Sequence, residues 1–114
     1  MLNFTDMFEM QTRLYEAHPE WLKRDFAGGP FKLLWMIGEA GEVIDIVKKK
    51  NEADILSPGP VRDHLIEEIA DVQMYLLDVM ACYGITPDEI SEGFVKKHQY
   101  NMIRDYAAEN REMI

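Results

Sequence analysis

Residues 31 to about 51 form a helical stretch that is apolar nearly all the way round, yet it carries two glutamates. At about 100° per residue, Trp35, Glu39, Glu42 and Ile46 fall in one narrow sector. Leu33, Met36, Ile37, Ala40, Val43, Ile44 and Val47 cover much of the rest. A helix with hydrophobic groups on every side is a central helix that other elements must cover. No alternating strand pattern, internal repeat or low-complexity segment is visible. The expected fold is therefore all-α: a bundle of four main helices in a single domain over residues 1–114. Oligomerisation is expected to complete it.

The other helices carry their own start and stop signals. Residues 3–18 are amphipathic, with Asn3 placed as an N-cap, Asp6 at the third helical position, and Phe4, Met7, Phe8, Met10, Leu14 and Tyr15 on the apolar side. Pro19 disfavours continuing that helix. Residues 20–30 hold Trp21 and the Gly28-Gly29-Pro30 break, and read as a loop or a short helical piece. Lys48-Lys49-Lys50 suit the C-terminal dipole of the central helix. Residues 52–60, with Ser57-Pro58-Gly59-Pro60, read as a turn-rich connector. A third long helix spans residues 61–83 and stops at Gly84. Thr86-Pro87-Asp88-Glu89 starts a fourth helix, with an N-cap Thr, Pro at the first position and Glu at the third. That helix is expected to reach about residue 108, and residues 109–114 to fray or dock on a partner.

The central helix contributes half of a larger acidic pattern. Glu39 and Glu42 are three residues apart, and so are Glu68 and Asp71 on the third helix. Side chains at that spacing are neighbours on one helix face. His64, Glu68, Asp71 and Tyr75 share a stripe beside a core face of Leu65, Ile69, Val72, Leu76 and Val79. If the two helices pack side by side, four carboxylates converge. Charge placed beside apolar surface is costly without compensation, and a hard divalent cation such as Mg²⁺, which prefers oxygen ligands, would supply it. One acid pair alone is common on a solvated face; two pairs beside apolar stripes on consecutive long helices form a stronger pattern. A carboxylate-bridged di-iron site wants Glu-x-x-His on two helices, and no Glu here is followed three residues later by His.

Composition narrows the function classes. Lys and Arg number 12 against 21 Asp and Glu, a net charge of −9, which argues against a DNA or RNA duplex as partner. A small phosphate ligand remains compatible if a metal ion and a few local cations assist it. No run of about 18 apolar residues exists, so no membrane span is expected. Met1-Leu2-Asn3-Phe4-Thr5-Asp6 lacks the basic and apolar regions of a signal peptide. The single Cys82 sits in an apolar stretch and reads as a small buried core residue of a reducing, cytoplasmic protein. The eight methionines read as core filler.

Taken together, these residues resemble a known family. Glu39-x-x-Glu42, 25 intervening residues and Glu68-x-x-Asp71 are similar to the signature of the MazG-like all-α nucleoside triphosphate pyrophosphohydrolases. Gly38-Glu39-Ala40-Gly41-Glu42-Val43 resembles the first family motif. Glu68-Ile69-Ala70-Asp71-Val72-Gln73-Met74-Tyr75 resembles the second, including the Tyr four residues after the Asp. Lys97, Asn101 and Arg104 match a later Lys-x-x-x-Asn-x-x-Arg segment. The likeness covers about residues 31–106.

The resemblance implies Mg²⁺-dependent hydrolysis between the α- and β-phosphates of a nucleoside triphosphate, with Mn²⁺ as a substitute ion. The products would be a nucleoside monophosphate and pyrophosphate, and the role nucleotide-pool housecleaning. Glu39, Glu42, Glu68 and Asp71 would hold the metal, which neutralises phosphate charge and helps position a nucleophilic hydroxide. Glu42 or Glu39 would act as general base, with Glu42 preferred. Lys97, Asn101 and Arg104, at i, i+4 and i+7, would bind phosphate oxygens. Trp35 and Trp21 are candidates to stack on the base, and Tyr75 to hydrogen-bond near the metal ligands. His64 reads as a surface histidine, and Asp45 as a partner of Lys48 or Lys49. Family members commonly assemble as homodimers or homotetramers. The competing readings are a non-catalytic helical module that binds nucleotide or a protein partner, and a purely structural bundle.

Overall fold

A computed structural model describes residues 1–104 and Ala107. Five α-helices, one 3-10 turn and no strand occur among the described residues: α1 (Phe4–Ala17), the 3-10 turn (Phe26–Gly28), α2 (Gly29–Lys49), α3 (Glu52–Leu56), α4 (Pro60–Cys82) and α5 (Pro87–Ile103). None of the helices is long and apolar enough to cross a membrane. The all-α expectation holds, with four long helices.

Local capping chemistry sets the boundaries. Asn3 accepts from the Asp6 backbone N–H at 2.8 Å, and its own N–H donates to the Asp6 carboxylate at 3.2 Å. Thr86 and Glu89 exchange the same pair of bonds at 3.2 and 3.0 Å. Both reciprocal caps sit where the sequence places them, because each involves residues only three apart. α2 begins two residues earlier than expected. Pro30 falls in its first turn, where a missing N–H costs nothing. Gly29 lies so close to the Tyr83 ring that a Cβ there would collide with it.

Two expectations need correction. Residues 52–60 are not all connector, because the Asn51 side chain accepts from the Asp54 N–H at 2.9 Å and starts α3. The Ser57-Pro58-Gly59-Pro60 break masks that cap in the sequence. α5 ends at Ile103 rather than near residue 108. Residues 109–114 lie outside the described residues.

The main packing is α2 against α4, with α1 laid across α4 and α5 touching α1. Among the described residues, buried apolar ones are few: Ile46 on α2, and Leu77, Met80 and Cys82 on α4. Cys82 is buried as expected. α2 is central by composition, but one chain covers only part of it: Ile37 is 65% exposed and Ile44 57%. On α4 the buried side is Leu77 and Met80, while Ile69 and Leu76, read as core, are exposed. The packed pair α2–α4 is what fixes the positions of the acidic side chains.

Candidate active site

Antiparallel packing of α2 and α4 brings the two acid pairs together. Oxygens of Glu39, Glu42 and Glu68 all lie within 4.8 Å of one another. Asp71 stands outside that trio, but its charge still acts on Glu39. Removal from water, and then the charges of Glu42, Asp71 and Glu68, hold the Glu39 carboxyl above its ordinary range. A hydrogen bond to Glu68, together with the Glu68 charge, raises Glu42. Like charges this close favour a shared proton or a cation.

Glu68 supplies the clearest sign of an incomplete site. Its Oε1 lies 3.2 Å from His64 Nε2, while its Oε2 is buried with no hydrogen-bond partner. An orphaned buried carboxylate oxygen is expensive. The donor set is all oxygen, which fits a hard divalent cation. Glu39, Glu42 and Glu68 are the residues placed to hold one, with Asp71 adjoining. His64 is exposed, as expected of a surface residue.

The cluster lies between two recesses. On one side, a shallow recess lined by Trp35, Gly38, Glu39, Glu42 and Tyr75 shares Trp35 and Tyr75 with a cavity of about 340 Å³ between α1, α2 and α4. Trp35, Tyr75, Trp21 and Asp71 all line that cavity. The Trp35 and Tyr75 rings stand 6.4 Å apart at 67°. One face of Trp21 is already stacked on His18, with ring centroids 4.1 Å apart. On the other side, Glu42 and Glu68 border a recess of about 330 Å³ with Lys49, Lys50 and His64. Lys49 also pairs with Asp45 at 3.9 Å, one of the two pairings expected.

The α5 residues are not part of this gathering. Lys97 lies 5.0 Å from the Tyr100 ring, and Arg104 donates to Asn101 at 3.3 Å. α5 packs on α1 and has no comparable contact with α2 or α4. Within one chain, Lys97, Asn101 and Arg104 therefore stay apart from the carboxylates.

Sequence reading missed the cavity's floor. Asp78, 2% exposed, accepts from Gln11 Nε2 at 3.0 Å and from the Tyr15 hydroxyl at 2.9 Å. Lys32 and Arg24 stand 3.8 and 3.7 Å from its carboxylate. Lys32 donates to the Tyr15 hydroxyl and is itself buried. The sequence holds one clue: a lone Asp inside Leu76-Leu77-Asp78-Val79-Met80. A charge within an apolar run that ends in the core must be paired.

Comparison with protein families gives one finding. Residues 32–101 match the MazG nucleotide pyrophosphohydrolase domain. The chain belongs to the MazG family. That span contains both acid pairs, as well as Lys32, Asp78, Lys97 and Asn101. It makes the chain a member of a family of nucleotide pyrophosphohydrolases that generally use a divalent metal. No curated protein and no solved structure matches the chain.

Proposed function

We propose that this MazG-family chain hydrolyses a nucleoside triphosphate at the α–β phosphoanhydride, releasing a nucleoside monophosphate and pyrophosphate. The observation that carries the reading is the carboxylate trio, with its orphaned Glu68 oxygen, beside an aromatic-walled cavity that Asp71, Trp35 and Tyr75 line. Mg²⁺ bound there, or Mn²⁺ in its place, would neutralise phosphate charge and make water a better nucleophile. Glu39, Glu68 and Asp71 serve chiefly to hold the ion. Glu42, the exposed member of the trio, accepts the proton of the attacking water. The water oxygen bonds to phosphorus as the bridging P–O bond breaks. Trp35 and Tyr75 stand between the base cavity and the acids, so they orient the nucleotide rather than take part in the bond change. Trp21 walls the far side of the cavity. On the other flank, Lys49 and Lys50 offer charge to the departing pyrophosphate.

Lys97, Asn101 and Arg104 enter this reading through a second chain. Exposed Ile37 and Ile44 on α2 and Phe94 on α5 favour a homodimer or homotetramer that brings α5 toward a neighbour's carboxylates. The role is housecleaning of nucleotide pools in the cytoplasm. The separation of α5 from the acids in one chain also favours a second reading, a helical module that binds nucleotide without hydrolysing it. Incubation with a panel of nucleoside triphosphates and Mg²⁺ decides between them. Pyrophosphate release that disappears in EDTA and in Glu42→Gln supports hydrolysis; nucleotide binding without any release supports the module.

A further inference from the structure

The cavity beside the carboxylates has an unusual floor for an apolar pocket. Lys32 and Asp78 line it, with side chains only 3% and 2% exposed. Replacing a buried ion pair by apolar residues is often neutral or stabilising, so stability alone does not explain why an ammonium sits there. The local hydrogen bonding has a fixed direction. Asp78 can only accept, so the Tyr15 hydroxyl donates its proton to Asp78 Oδ2 at 2.9 Å. The Tyr15 oxygen is then left to accept from Lys32. At 3.8 Å, Asp78 is an ion-pair partner of Lys32 but lies beyond hydrogen-bond reach.

An ammonium has three protons and no acceptor. One proton of Lys32 is used on Tyr15. The Lys32 nitrogen lies 4.5 Å from the Tyr15 ring centroid, 5.1 Å from Trp35 and 5.9 Å from Tyr75. Those rings hold the cation in place without consuming its remaining donors. The result is a fixed donor, backed by Asp78 and set among the aromatic walls where a base would stack.

We propose that Lys32 is a specificity-determining residue that donates to a carbonyl oxygen of the nucleobase, so that the cavity prefers bases carrying a ring carbonyl over adenine. This rests on the nucleotide reading proposed above. Uracil, thymine, cytosine and guanine each present such an oxygen, projecting beyond the ring with two lone pairs. Adenine has none. Its N1 and N7 acceptors are recessed beside an exocyclic amino group whose hydrogens face an ammonium unfavourably. A buried donor left without its acceptor loses a charge-assisted hydrogen bond, a difference of about ten-fold or more in affinity.

Inosine and adenosine monophosphates make a close pair of probes, because both are purines and they differ only at position 6 and in the proton that accompanies the carbonyl on N1. Calorimetric titration of the whole protein, with and without Mg²⁺, should show the inosine compound binding about ten-fold or more tighter. Lys32→Met should collapse that gap. If Lys32→Met does not fold, NMR of the wild-type protein labelled on its lysines serves instead: the inosine compound should shift a lysine side-chain resonance that the adenosine compound leaves in place. Equal affinities, a gap that persists in Lys32→Met, lysine resonances that respond alike to the two ligands, or no binding of either would each overturn the proposal. Pyrophosphate release assayed in parallel keeps the two readings apart. Release with equal monophosphate affinities removes the base preference and leaves hydrolysis standing. A clear inosine preference with no release from any triphosphate does the reverse.

Discussion

Two charged clusters share the α2–α4 pair, and they are built on opposite principles. Glu39, Glu42 and Glu68 are of one sign, gathered within 4.8 Å, and one of their oxygens is buried without a partner. Asp78 stands among Lys32, Arg24, Tyr15 and Gln11, and its charge is answered on every side. The first arrangement is electrostatically incomplete, and a cation would balance it. The second sets opposite charges against each other, although Arg24 Nη1 is also buried there without a hydrogen-bond partner, and it fixes Lys32 in the cavity floor. Mutations should therefore act differently on the two: on turnover at the first, and at the second on stability and, through Lys32, on base preference.

The largest expected effect is on turnover. Glu42→Gln keeps the shape of the trio and removes the carboxylate proposed as proton acceptor. Steady-state pyrophosphate release should fall by about 10²- to 10⁴-fold, the usual contribution of a general base. The unfolding midpoint without metal should hardly move. A large loss of stability with little loss of rate would reverse the contrast drawn between the clusters.

Asp78→Ala tests the other side. It leaves Lys32 and the largely buried Arg24 without their counter-charge. Removing one partner of a buried pair costs about 3–5 kcal/mol, which urea unfolding would read as a clear drop in midpoint. Tyr15→Phe should be milder, about 1–2 kcal/mol, since it removes one hydroxyl that both donates to Asp78 and accepts from Lys32. If Asp78→Ala were as harmless as an ordinary surface change, the buried network would not be a structural fixture.

The contrast also explains what the sequence could reveal. The acid pairs were legible because each is a local i, i+3 pattern, and so were the Asn3 and Thr86 caps. The Asp78 network was not, because Gln11 and Asp78 are 67 residues apart. Lys32 stands between Phe31 and Leu33, and nothing local in the sequence sets it apart from a solvated lysine. Periodicity ranked Ile69 and Leu76 as core, yet Leu77 and Met80 are the buried residues. An α4 stripe that is apolar over much of its circumference does not say which side its own chain will cover. The same ambiguity hid how far α5 would stand from the acids it was expected to serve.

The smallest effect concerns stability and pH at the acidic trio. In the fold, Glu39 titrates above its ordinary value near 4.5, chiefly through loss of water and then through Glu42, Asp71 and Glu68. The folded state therefore binds protons more readily than the unfolded chain, and stability must fall as pH rises from about 4.5 through the raised value. Below that window both states are protonated and the penalty is absent. Above it the penalty is fully present, and a divalent cation that binds only the folded form should remove it. Thermal melts should thus show a rise with Mg²⁺ at pH 7 and little or none at pH 4. Glu39→Gln without metal should match or slightly exceed the wild type at pH 7, within about 0.5 kcal/mol, and should lose much of the metal-induced rise. A metal-independent melting curve at neutral pH, or a marked destabilisation by Glu39→Gln, would show that the trio is already balanced by its surroundings, as Asp78 is.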